Sequence, residues 1–366
     1  MVNVRCQGAT WRIVVAATSG LMIPAISSCG VFENKSDEPA GIAVITKNAT
    51  NPFFVTIQDG AQKEAAAKDL RVTATAGTAD GDVDTQITAI NAAIDRGDKA
   101  ILIAPNGQGV DAALRRARDK GVFVVALDTK PSDPDAADIT FATDNFEAGR
   151  LIGAWSAKKM NGAPAVIAML DLFGNRGVES DSSRNQGFLT GMGIPVADPR
   201  YKGDEAPTGT YSAGAYRIAC HETTLGAKDE GRAGMAHCLA DNPDINLVYT
   251  VNEPAASGAV EALQAAGKTA TVVSVDGGCD PGMKMVQSGV VGATAQQYPL
   301  QMAVQGVDAI AAYLRDGTRP IPNQGSDMVT TGVALVTDDP QPDVPSIDVA
   351  EGLAKCWGKD EGNSPN

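Results

Sequence analysis

An apolar run, a turn and a helical stretch recur in this order along the chain from residue 41 onward. Residues 41–45 form the first run and 53–70 the first amphipathic stretch. Continuous Val, Ile and Leu runs are typical of strands covered on both faces, as in parallel sheets. Further strand candidates lie at 71–75, 100–103, 122–127, 165–170, 247–250 and 271–275, and further helices at 84–96, 110–120, 145–159, 229–240, 255–266 and 300–316. The alternation predicts an α/β fold of βαβ units.

The chain is long enough for two lobes of this kind. Its 366 residues exceed the roughly 250 to 300 at which a single hydrophobic core stops growing, so we expect two domains. Ligands of open parallel sheets bind outside the carboxyl ends of the strands, where loops lead into helix N-termini. The residues that follow each apolar run are therefore the first candidates for a binding site.

Polar side chains recur at these positions. Carboxylates accept hydrogen bonds from paired hydroxyls, carboxamides both donate and accept, and a phenyl face packs on the C–H surface of a sugar ring. The set predicts a polyol pocket. Two alternatives stay open, because Asp and Asn at strand ends also cap helices and form turns, and either phenylalanine can belong to the core. The candidates are Asn51, Asn106, Asp128, Asp171, Asn252, Glu253, Asp276 and Gln297, with the aromatic pair Phe53 and Phe54.

Charge and composition argue against several classes of function. With 30 basic and 44 acidic side chains the formal net charge is −14, and we expect no nucleic-acid partner, since phosphate binding depends on clustered Lys and Arg. Only His221 and His237 are present, which disfavours a multi-histidine metal centre or a Ser/His/Asp triad. The sequence has no phosphate loop, dinucleotide fingerprint or nucleophile elbow, so we expect no enzyme, metal or cofactor. Glycoside hydrolysis by Asp128, Asp171 and Asp276 is the open enzymatic alternative.

The N-terminal segment predicts export. Arg5 and Arg12 precede an apolar stretch that is shorter than the roughly 20 residues needed to cross a bilayer, so residues 1–28 are interpreted as a secretory signal. The residues that end at Cys29 resemble a bacterial lipobox, whose cysteine carries lipid. We therefore expect a membrane anchor at Cys29, a flexible linker over 29–40 and an extracytoplasmic location. The alternatives are a plain signal peptide and an unprocessed, disordered N-terminus.

Four cysteines remain when Cys6 in the leader and Cys29 are set aside. An even number in an exported protein predicts disulfides. The alternative is a metal site, because two of the cysteines have His221 and His237 as neighbours and form a symmetrical Cys/His set. The favoured pairs are Cys220 with Cys238, which closes a short loop, and Cys279 with Cys356, which holds the C-terminus.

Several segments carry a family resemblance. They are 50–62 (TNPFFVTIQDGAQ), 126–128 (ALD), 141–145 (FATDN), 250–256 (TVNEPAA), 273–279 (VSVDGGC) and 292–299 (GATAQQYP). Together they resemble the solute-binding proteins of sugar ABC transporters, in the ribose-type cluster of the type I periplasmic binding fold. FATDN, DGGC and the terminal KCWG at 355–358 are most similar to the fructose-binding branch. The resemblance implies a monosaccharide ligand, with fructose or a related ketose or polyol favoured.

The resemblance also implies an architecture and partners. Two Rossmann-like lobes with parallel sheets are joined by a hinge of three strands, and the ligand lies in the cleft between the lobes. We expect a monomer that delivers its ligand to an ABC transporter permease. The implied bounds are 41–143 plus 298–333 for the N-terminal lobe, 144–297 plus 334–358 for the C-terminal lobe and 359–366 for a tail.

Family roles can be assigned position by position. One departure lies at 182–188 (SSRNQGF), which keeps only the second arginine of an Arg-x-Arg-x-x-Gly-Phe pattern. Arg184 is assigned to the pocket, and Asp181 and Ser182 are the alternatives for that corner. A second departure is the long stretch at 198–229, which we expect to decorate the surface; a cover over the cleft is the alternative. The implied sugar-binding residues are Asn51, Asp128, Asn252, Asp276 and Gln297, with Phe53 and Phe54 sandwiching the ring.

Two other functions are known for proteins with this fold. A transcriptional repressor requires a helix-turn-helix of about 50 to 60 residues before residue 41 and a basic N-terminus, neither of which the sequence shows. A ligand-binding sensor for chemotaxis or signalling has the same sequence features as a transport protein, and this alternative stays open.

Overall fold

The computed structural model describes residues 38–174 and 178–358. The expected leader, the lipidation site Cys29, most of the linker and the tail at 359–366 lie outside the described residues. The strands, in chain order, are β1 (Ala40–Thr46), β2 (Leu70–Ala76), β3 (Ala100–Ile103), β4 (Phe123–Leu127), β5 (Ile139–Ala142), β6 (Ala165–Asp171), β7 (Thr208–Thr210), β8 (Ala215–Thr223), β9 (Leu247–Thr250), β10 (Thr271–Asp276), β11 (Ala293–Gln296), β12 (Val329–Thr330) and β13 (Ala334–Val336).

Helices alternate with these strands. Several begin at a side chain that accepts a hydrogen bond from the first turn, as Asn51, Asp82, Asp144, Asn252 and Asp348 do. The helices predicted from the sequence are all present, and α5, α8 and α10 are additional. In chain order the helices are α1 (Pro52–Ala67), α2 (Val83–Arg96), α3 (Asp111–Asp119), α4 (Asn145–Met160), α5 (Glu179–Met192), α6 (Lys228–Asp241), α7 (Glu253–Ala265), α8 (Lys284–Gln287), α9 (Pro299–Asp316) and α10 (Val349–Lys355).

The first sheet is parallel throughout, with strand order β12-β5-β4-β3-β1-β2. Helices α1 and α9 cover one face through Ile57 and Val307, and α2 and α3 cover the other through Ile90 and Leu114. Every side chain of β3 and β4 is therefore buried, which explains why these strands are continuous apolar runs instead of alternating ones.

The second sheet has the order β13-β11-β10-β9-β6-β8-β7 and is parallel except at its two edges. Strand β13 runs antiparallel to β11, and β7 runs antiparallel to β8. Helices α4 and α5 pack on one face through Ile152 and Phe188, and α6 and α7 pack on the other through Met235 and Ala259. The predicted α/β architecture of two parallel-stranded lobes is confirmed.

The chain passes between the two sheets at three places within the described residues. It leaves the first sheet after β5 at 143–144, returns after β11 at 297–298 and leaves again between β12 and β13 at 331–333. Each sheet therefore combines segments that are distant in sequence.

Helices α4 and α5 touch through their backbones. A Cβ atom at Gly149 or Gly153 of α4 would lie 2.1 Å from a carbonyl oxygen of α5. One at Gly187 or Gly191 of α5 would lie 2.2 Å from a carbonyl oxygen of α4. Glycine is required at such an approach because any side chain would push the helices apart.

Helix α5 is absent from the helices predicted by the sequence. Its residues (ESDSSRNQGFLTGM) are rich in Ser, Asp, Asn and Gly, which are weak helix formers. It also lacks an apolar stripe, because α4 and the second sheet bury polar side chains such as Asn185 and Gln186 completely. Tertiary packing overrides local propensity here.

The expectation that residues 198–229 only decorate the surface is wrong. This stretch supplies β7 and β8, and β8 pairs with β6 along the whole length of β6. It also carries Lys202, whose buried ammonium contacts the carboxylate of Asp181 and donates to the carbonyl oxygen of Phe173 at 2.7 Å. The stretch is therefore part of the second lobe's core.

Both predicted disulfides are present, with Cα atoms 5.8 Å apart for Cys220–Cys238 and 5.0 Å for Cys279–Cys356. The metal-site alternative is wrong, since the first bridge consumes both of its cysteines. Across 38–174 and 178–358, no cluster of three or more His, Cys, Asp or Glu is arranged to hold a metal ion. In the same ranges no helix has the length and hydropathy required to span a bilayer.

The close contact of α4 and α5 predicts that Gly153→Ala lowers the free energy of unfolding by about 1 to 3 kcal/mol, because the added methyl meets the carbonyl oxygen of Phe188. Urea denaturation measures the change. Gly174→Ala is the control, since no atom lies within 4 Å of a Cβ built there. Equal stabilities of the two variants would contradict a backbone contact between the helices.

Candidate functional site

A cavity lies between the carboxyl ends of the two sheets. The space outside protein atoms within it, its open mouth included, is about 380 Å³. The residues that the family resemblance assigns to the ligand, together with Arg184, all line it, and their binding of a ligand stays a prediction. The lining residues are Lys47, Asn51, Phe53, Phe54, Asp80, Asp128, Leu172, Ser180, Arg184, Val251, Asn252, Asp276 and Gln297.

The position of the cavity follows from the order of the strands. The chain order reverses between β1 and β3 in the first sheet and between β6 and β9 in the second. Loops on the two sides of such a reversal leave the sheet in opposite directions and open a crevice. Asp128 follows β4, Asp276 ends β10 and Gln297 follows β11, so each side chain reaches the crevice from a strand end.

Asp128 is held as a buried carboxylate. Lys47 donates to its Oδ2 at 2.8 Å and to Oγ1 of Thr129 at 2.7 Å, and the Lys47 ammonium lies 5.5 Å from the centre of the Phe54 ring. Burial alone would raise the pKa of Asp128. The charges of Lys47 and Arg184 outweigh burial, so the pKa lies below its ordinary value.

Arg184 connects the aspartates of the two lobes. Its guanidinium lies 4.0 Å from a carboxylate oxygen of Asp128 and 3.9 Å from one of Asp276. The Nε atom donates to Oδ1 of Asn145 at 2.8 Å, and Nη1 donates to the carbonyl oxygen of Val251 at 3.0 Å. These bonds fix the guanidinium plane beside the cavity. Arg184 therefore lies at the pocket position for which Asp181 and Ser182 were the alternatives.

Asp181 and Ser182, the alternatives for that corner, do not line the cavity. The carboxylate of Asp181 accepts from the backbone N–H groups of Leu172 and Phe173 at 3.0 and 3.1 Å and contacts Lys202. It therefore holds the loop after β6, and burial raises its pKa to about 6.

Asp276 is the second carboxylate of the cavity, and its surroundings favour the neutral form. Burial raises its pKa to about 6, against the lowering effect of Arg184. Behind it, Glu253 accepts from the backbone N–H groups of Gly277 and Gly278 at 2.7 and 3.0 Å. Burial and the neighbouring charge of Asp276 raise the pKa of Glu253 well above its ordinary value. The two carboxyl groups oppose each other's ionisation.

Gln297 faces the cavity with an unused acceptor. Its Nε2 donates to Oδ1 of Asp276 at 2.7 Å. Its buried Oε1 has no hydrogen-bond partner in the part of the chain that the structure describes. Buried polar groups are normally paired, so this oxygen is an unsatisfied acceptor in a residue that lines the cavity.

The asparagines of the cavity also act as helix caps. Oδ1 of Asn51 accepts from the N–H of Phe53 at 3.0 Å, and Oδ1 of Asn252 accepts from Ala255 at 3.1 Å. Nδ2 of Asn252 donates to the carbonyl oxygen of Gly226 at 3.0 Å. Both readings of these residues are therefore realised, because each one caps a helix and lines the cavity.

Phe53 and Phe54 do not face each other across a gap. Their rings meet edge to face, with centroids 5.3 Å apart and planes at 88°. Both are buried in the core cluster of the first lobe as well as lining the cavity. The expectation that they sandwich a sugar ring is wrong for this arrangement, in which they form one wall.

The backbone at both aspartates is unusual. Asp128 has φ of 62° and Asp276 has φ of 142°, values that residues with a side chain rarely adopt. Strained residues persist where surrounding contacts fix them, and they cluster at functional sites. The two strand ends are thus bent to aim their carboxylates into the crevice.

The lobes are closed on each other around the cavity. Oγ1 of Thr129 and Oγ of Ser180, from opposite lobes, lie 3.1 Å apart. A Cβ atom built at Gly81 of the first lobe would lie 3.3 Å from the ring of Phe173 of the second. These contacts join the two lobes beside the cavity.

Sequence reasoning missed Lys47, Asp80 and Ser180 as lining residues. Lys47 directly follows β1 and so lies at a strand end, where binding residues are expected. It was not a candidate because a pocket for a polyol gives no reason to expect a buried cation. Asp80 follows β2 by a few residues and pairs with Nδ2 of Asn48 at 2.9 Å. Burial raises the pKa of Asp80.

Two other strand-end candidates have structural roles away from the cavity. Asn106 accepts from the N–H of Gly81 at 3.1 Å and supports the loop after β2. Asp171 accepts from Asn185 at 2.7 Å and pairs with His221 at 3.0 Å. Burial would lower the pKa of His221, but hydrogen bonds to Asp171 and Glu205 raise it to about 9.

Known proteins are similar to this chain in sequence and in fold. Residues 42–318 match the family model described as periplasmic binding protein domain. The ribose import binding protein of Salmonella typhimurium is 27% identical and covers 75% of this chain and 84% of its own length. The D-ribose/D-allose-binding protein of Pseudomonas aeruginosa is 26% identical and covers 89% of this chain and 95% of its own.

Solved structures agree in fold. A galactofuranose binding protein has a TM-score of 0.71 at 23% identity and covers 88% of this chain and 100% of its own. A periplasmic solute binding protein of Actinobacillus succinogenes with bound D-allose has a TM-score of 0.68 at 20% identity, over 81% of this chain and 97% of its own.

The two cavity aspartates predict opposite effects of the same substitution on stability. Asp276→Asn raises the melting temperature at about pH 7.5 by roughly 2 to 4 °C, because it removes a carboxylate whose ionisation is disfavoured. In this variant a flip of the Gln297 side-chain amide lets its unpaired Oε1 accept a hydrogen bond from the amide of the new asparagine. Asp128→Asn lowers the melting temperature, because it leaves Lys47 buried without its counter-ion.

The pH dependence follows from the raised pKa of Asp276. The stability that protonation gives is fully present below the unfolded pKa, near 3.8, and is lost as pH rises through about 6. The advantage of Asp276→Asn is therefore larger at about pH 7.5 than at about pH 5. Thermal unfolding of the ligand-free variants measures both effects, and shifts of the same sign for the two aspartates would contradict the assignment.

Proposed function

Since this chain belongs to the periplasmic binding protein domain family, we propose that it captures a monosaccharide outside the cytoplasm and delivers it to the permease of an ABC transporter. The enzymatic alternative is excluded, because the chain is a binding protein of this family. Closure of two lobes on a ligand needs only complementary donors and acceptors, and the cavity supplies both.

The main support for this proposal is that polar side chains from both lobes line one cavity. The first lobe contributes Asp128, and the second contributes Arg184 and Asp276. Gln297, at the crossing between them, adds an acceptor without a partner in the described part of the chain. A ligand with hydroxyls on several sides bonds both lobes at once and stabilises the closed state.

The charges of the cavity favour a neutral ligand. Lys47 is paired with Asp128, and Arg184 lies between Asp128 and Asp276, so each cation already has a carboxylate. Asp80 adds a further acidic group at the cavity wall. An anionic ligand such as a sugar phosphate would meet no unmatched positive charge, whereas hydroxyls can donate to the carboxylates and accept from the guanidinium.

Within the monosaccharides we propose a ketohexose such as fructose, or a related polyol. The support is the resemblance of FATDN at 141–145, DGGC at 276–279 and KCWG at 355–358 to the fructose-binding branch. The wall formed by Phe53 and Phe54 offers an apolar surface for the C–H face of the ring.

We further propose that the mature protein is a monomeric lipoprotein held at the membrane by Cys29. The support is the sequence alone, in which an apolar stretch and two serines precede this cysteine. One acyl chain gives only weak anchoring, so firm attachment requires more than one chain.

A thermal-shift screen of the domain from residue 38 onward tests the ligand. The panel contains fructose, ribose, allose, galactose, glucose, xylose and inositol. A micromolar ligand at millimolar concentration adds about 4 kcal/mol of stability, since it binds only the folded state. Asp276→Asn should abolish most of the shift. Asp171→Asn is the matched control at a strand end outside the cavity and should keep it. No shift with any sugar would overturn the proposed ligand class.

Expression of the full chain in a bacterial host with a lipoprotein pathway tests the anchor. We expect the wild type in the membrane fraction, with an N-terminal mass that includes acyl chains on Cys29. Cys29→Ala should be released from the membrane while its sugar-induced thermal shift is unchanged. A wild-type protein that is soluble and unmodified would exclude the lipid anchor and leave sugar binding unaffected.

A further inference from the structure

Trp357 connects the C-terminal segment of the chain to the first lobe. Helix α10 packs on the second lobe through Val349, whereas the ring of Trp357, just beyond the helix, lies in the core cluster of the first lobe. The ring is 9% exposed and meets Phe53 edge to face, with centroids 5.4 Å apart. Phe53 also lines the ligand cavity, so Trp357 supports the cavity wall from behind.

The same residue holds the backbone at the cavity residue Gln297 and in the turn after Asp276. Nε1 of Trp357 donates to the carbonyl oxygen of Gln297 at 2.9 Å, where the chain returns to the first lobe. The carbonyl oxygen of Trp357 accepts from the N–H of Cys279 at 2.9 Å. A Cβ at Gly278 would lie 3.2 Å from the indole, so the ring is packed against the turn that follows Asp276.

A disulfide fixes this arrangement covalently. Cys356, the neighbour of Trp357, is bonded to Cys279, three residues after Asp276. The other disulfide, Cys220–Cys238, joins β8 to α6, neither of which lines the cavity. The two bridges therefore differ in their distance from the site, although both close loops within the second lobe.

We propose that Trp357, held by the Cys279–Cys356 disulfide, is a positioning residue for ligand binding that sets the placement of Phe53 and Gln297. The proposal rests on the proposed sugar-binding function. Trp357 does not line the cavity. It acts through the wall and through the carbonyl of Gln297, whose side chain donates to Asp276. Hydrogen bonds to a ligand require placement within about 0.5 Å, so release of the indole weakens binding.

The chain offers a matched pair of tryptophans for the test. Trp155 is fully buried in the core of the second lobe, and its Nε1 donates to the carbonyl oxygen of Asp339 at 2.8 Å. Trp357→Phe and Trp155→Phe therefore remove the same kind of hydrogen bond and the same ring volume. We expect both to lower the melting temperature. Only Trp357→Phe should weaken the affinity for the sugar identified in the screen, by about tenfold in calorimetric titration.

The two disulfides give a second matched pair. Replacing Cys279 and Cys356 together by serine should lower both the melting temperature and the sugar affinity. Replacing Cys220 and Cys238 should lower the melting temperature alone. Unchanged affinity in both Trp357→Phe and the Cys279/Cys356 double variant overturns the proposal, and so does an equal loss in their controls.

A readout without ligand separates this proposal from the proposed function. In ¹⁵N-labelled, ligand-free protein, the side-chain amide signals of Gln297 should move in Trp357→Phe and stay in place in Trp155→Phe. If no sugar in the panel binds the wild type, the proposed ligand class fails, and these signals still decide the positioning role. Gln297 signals that do not move in Trp357→Phe overturn it.

Discussion

Four buried charged groups of alternating sign, Lys47, Asp128, Arg184 and Asp276, connect the two lobes through the cavity. Removing a charge from water costs several kcal/mol, and a partner must offset that cost. Arg184 contributes to this balance from the second lobe while Asp128 contributes from the first. Electrostatic pairing therefore stabilises the closed arrangement of the lobes. Each of the two cations at the site, Lys47 and Arg184, lies beside a carboxylate.

The two carboxylates of this series are not equivalent. Asp128 has a lysine at hydrogen-bond distance and is stabilised as an anion. Asp276 shares its surroundings with Glu253, and burial makes its ionised form costly. One side of the cavity therefore holds a firm acceptor, whereas the other holds a carboxyl group that hydrogen bonds from a ligand's hydroxyls can further stabilise as an anion.

The sequence predicted the fold well where one physical signal dominated. Strands buried on both faces are continuous apolar runs, and the residue after such a run lies at the carboxyl edge of the sheet, which is how Asp128 and Asp276 were found. Lys47 obeys the same rule but was missed, because its partner Asp128 is 81 residues away. Helix α5 was missed because glycines and polar residues form it only against α4. Cooperation between distant segments leaves no local pattern.

The three crossings between the lobes also bear on when the protein can fold. Val329 pairs with Phe141 in the first sheet, so that sheet is incomplete until about nine tenths of the chain has been synthesised. The second sheet requires Ala334–Val336 in addition. Pairing over such separations is slow, because loop closure must precede the contacts that stabilise it. While both sheets are incomplete the chain stays unfolded. An exported protein must be unfolded in this way when it passes through a membrane channel.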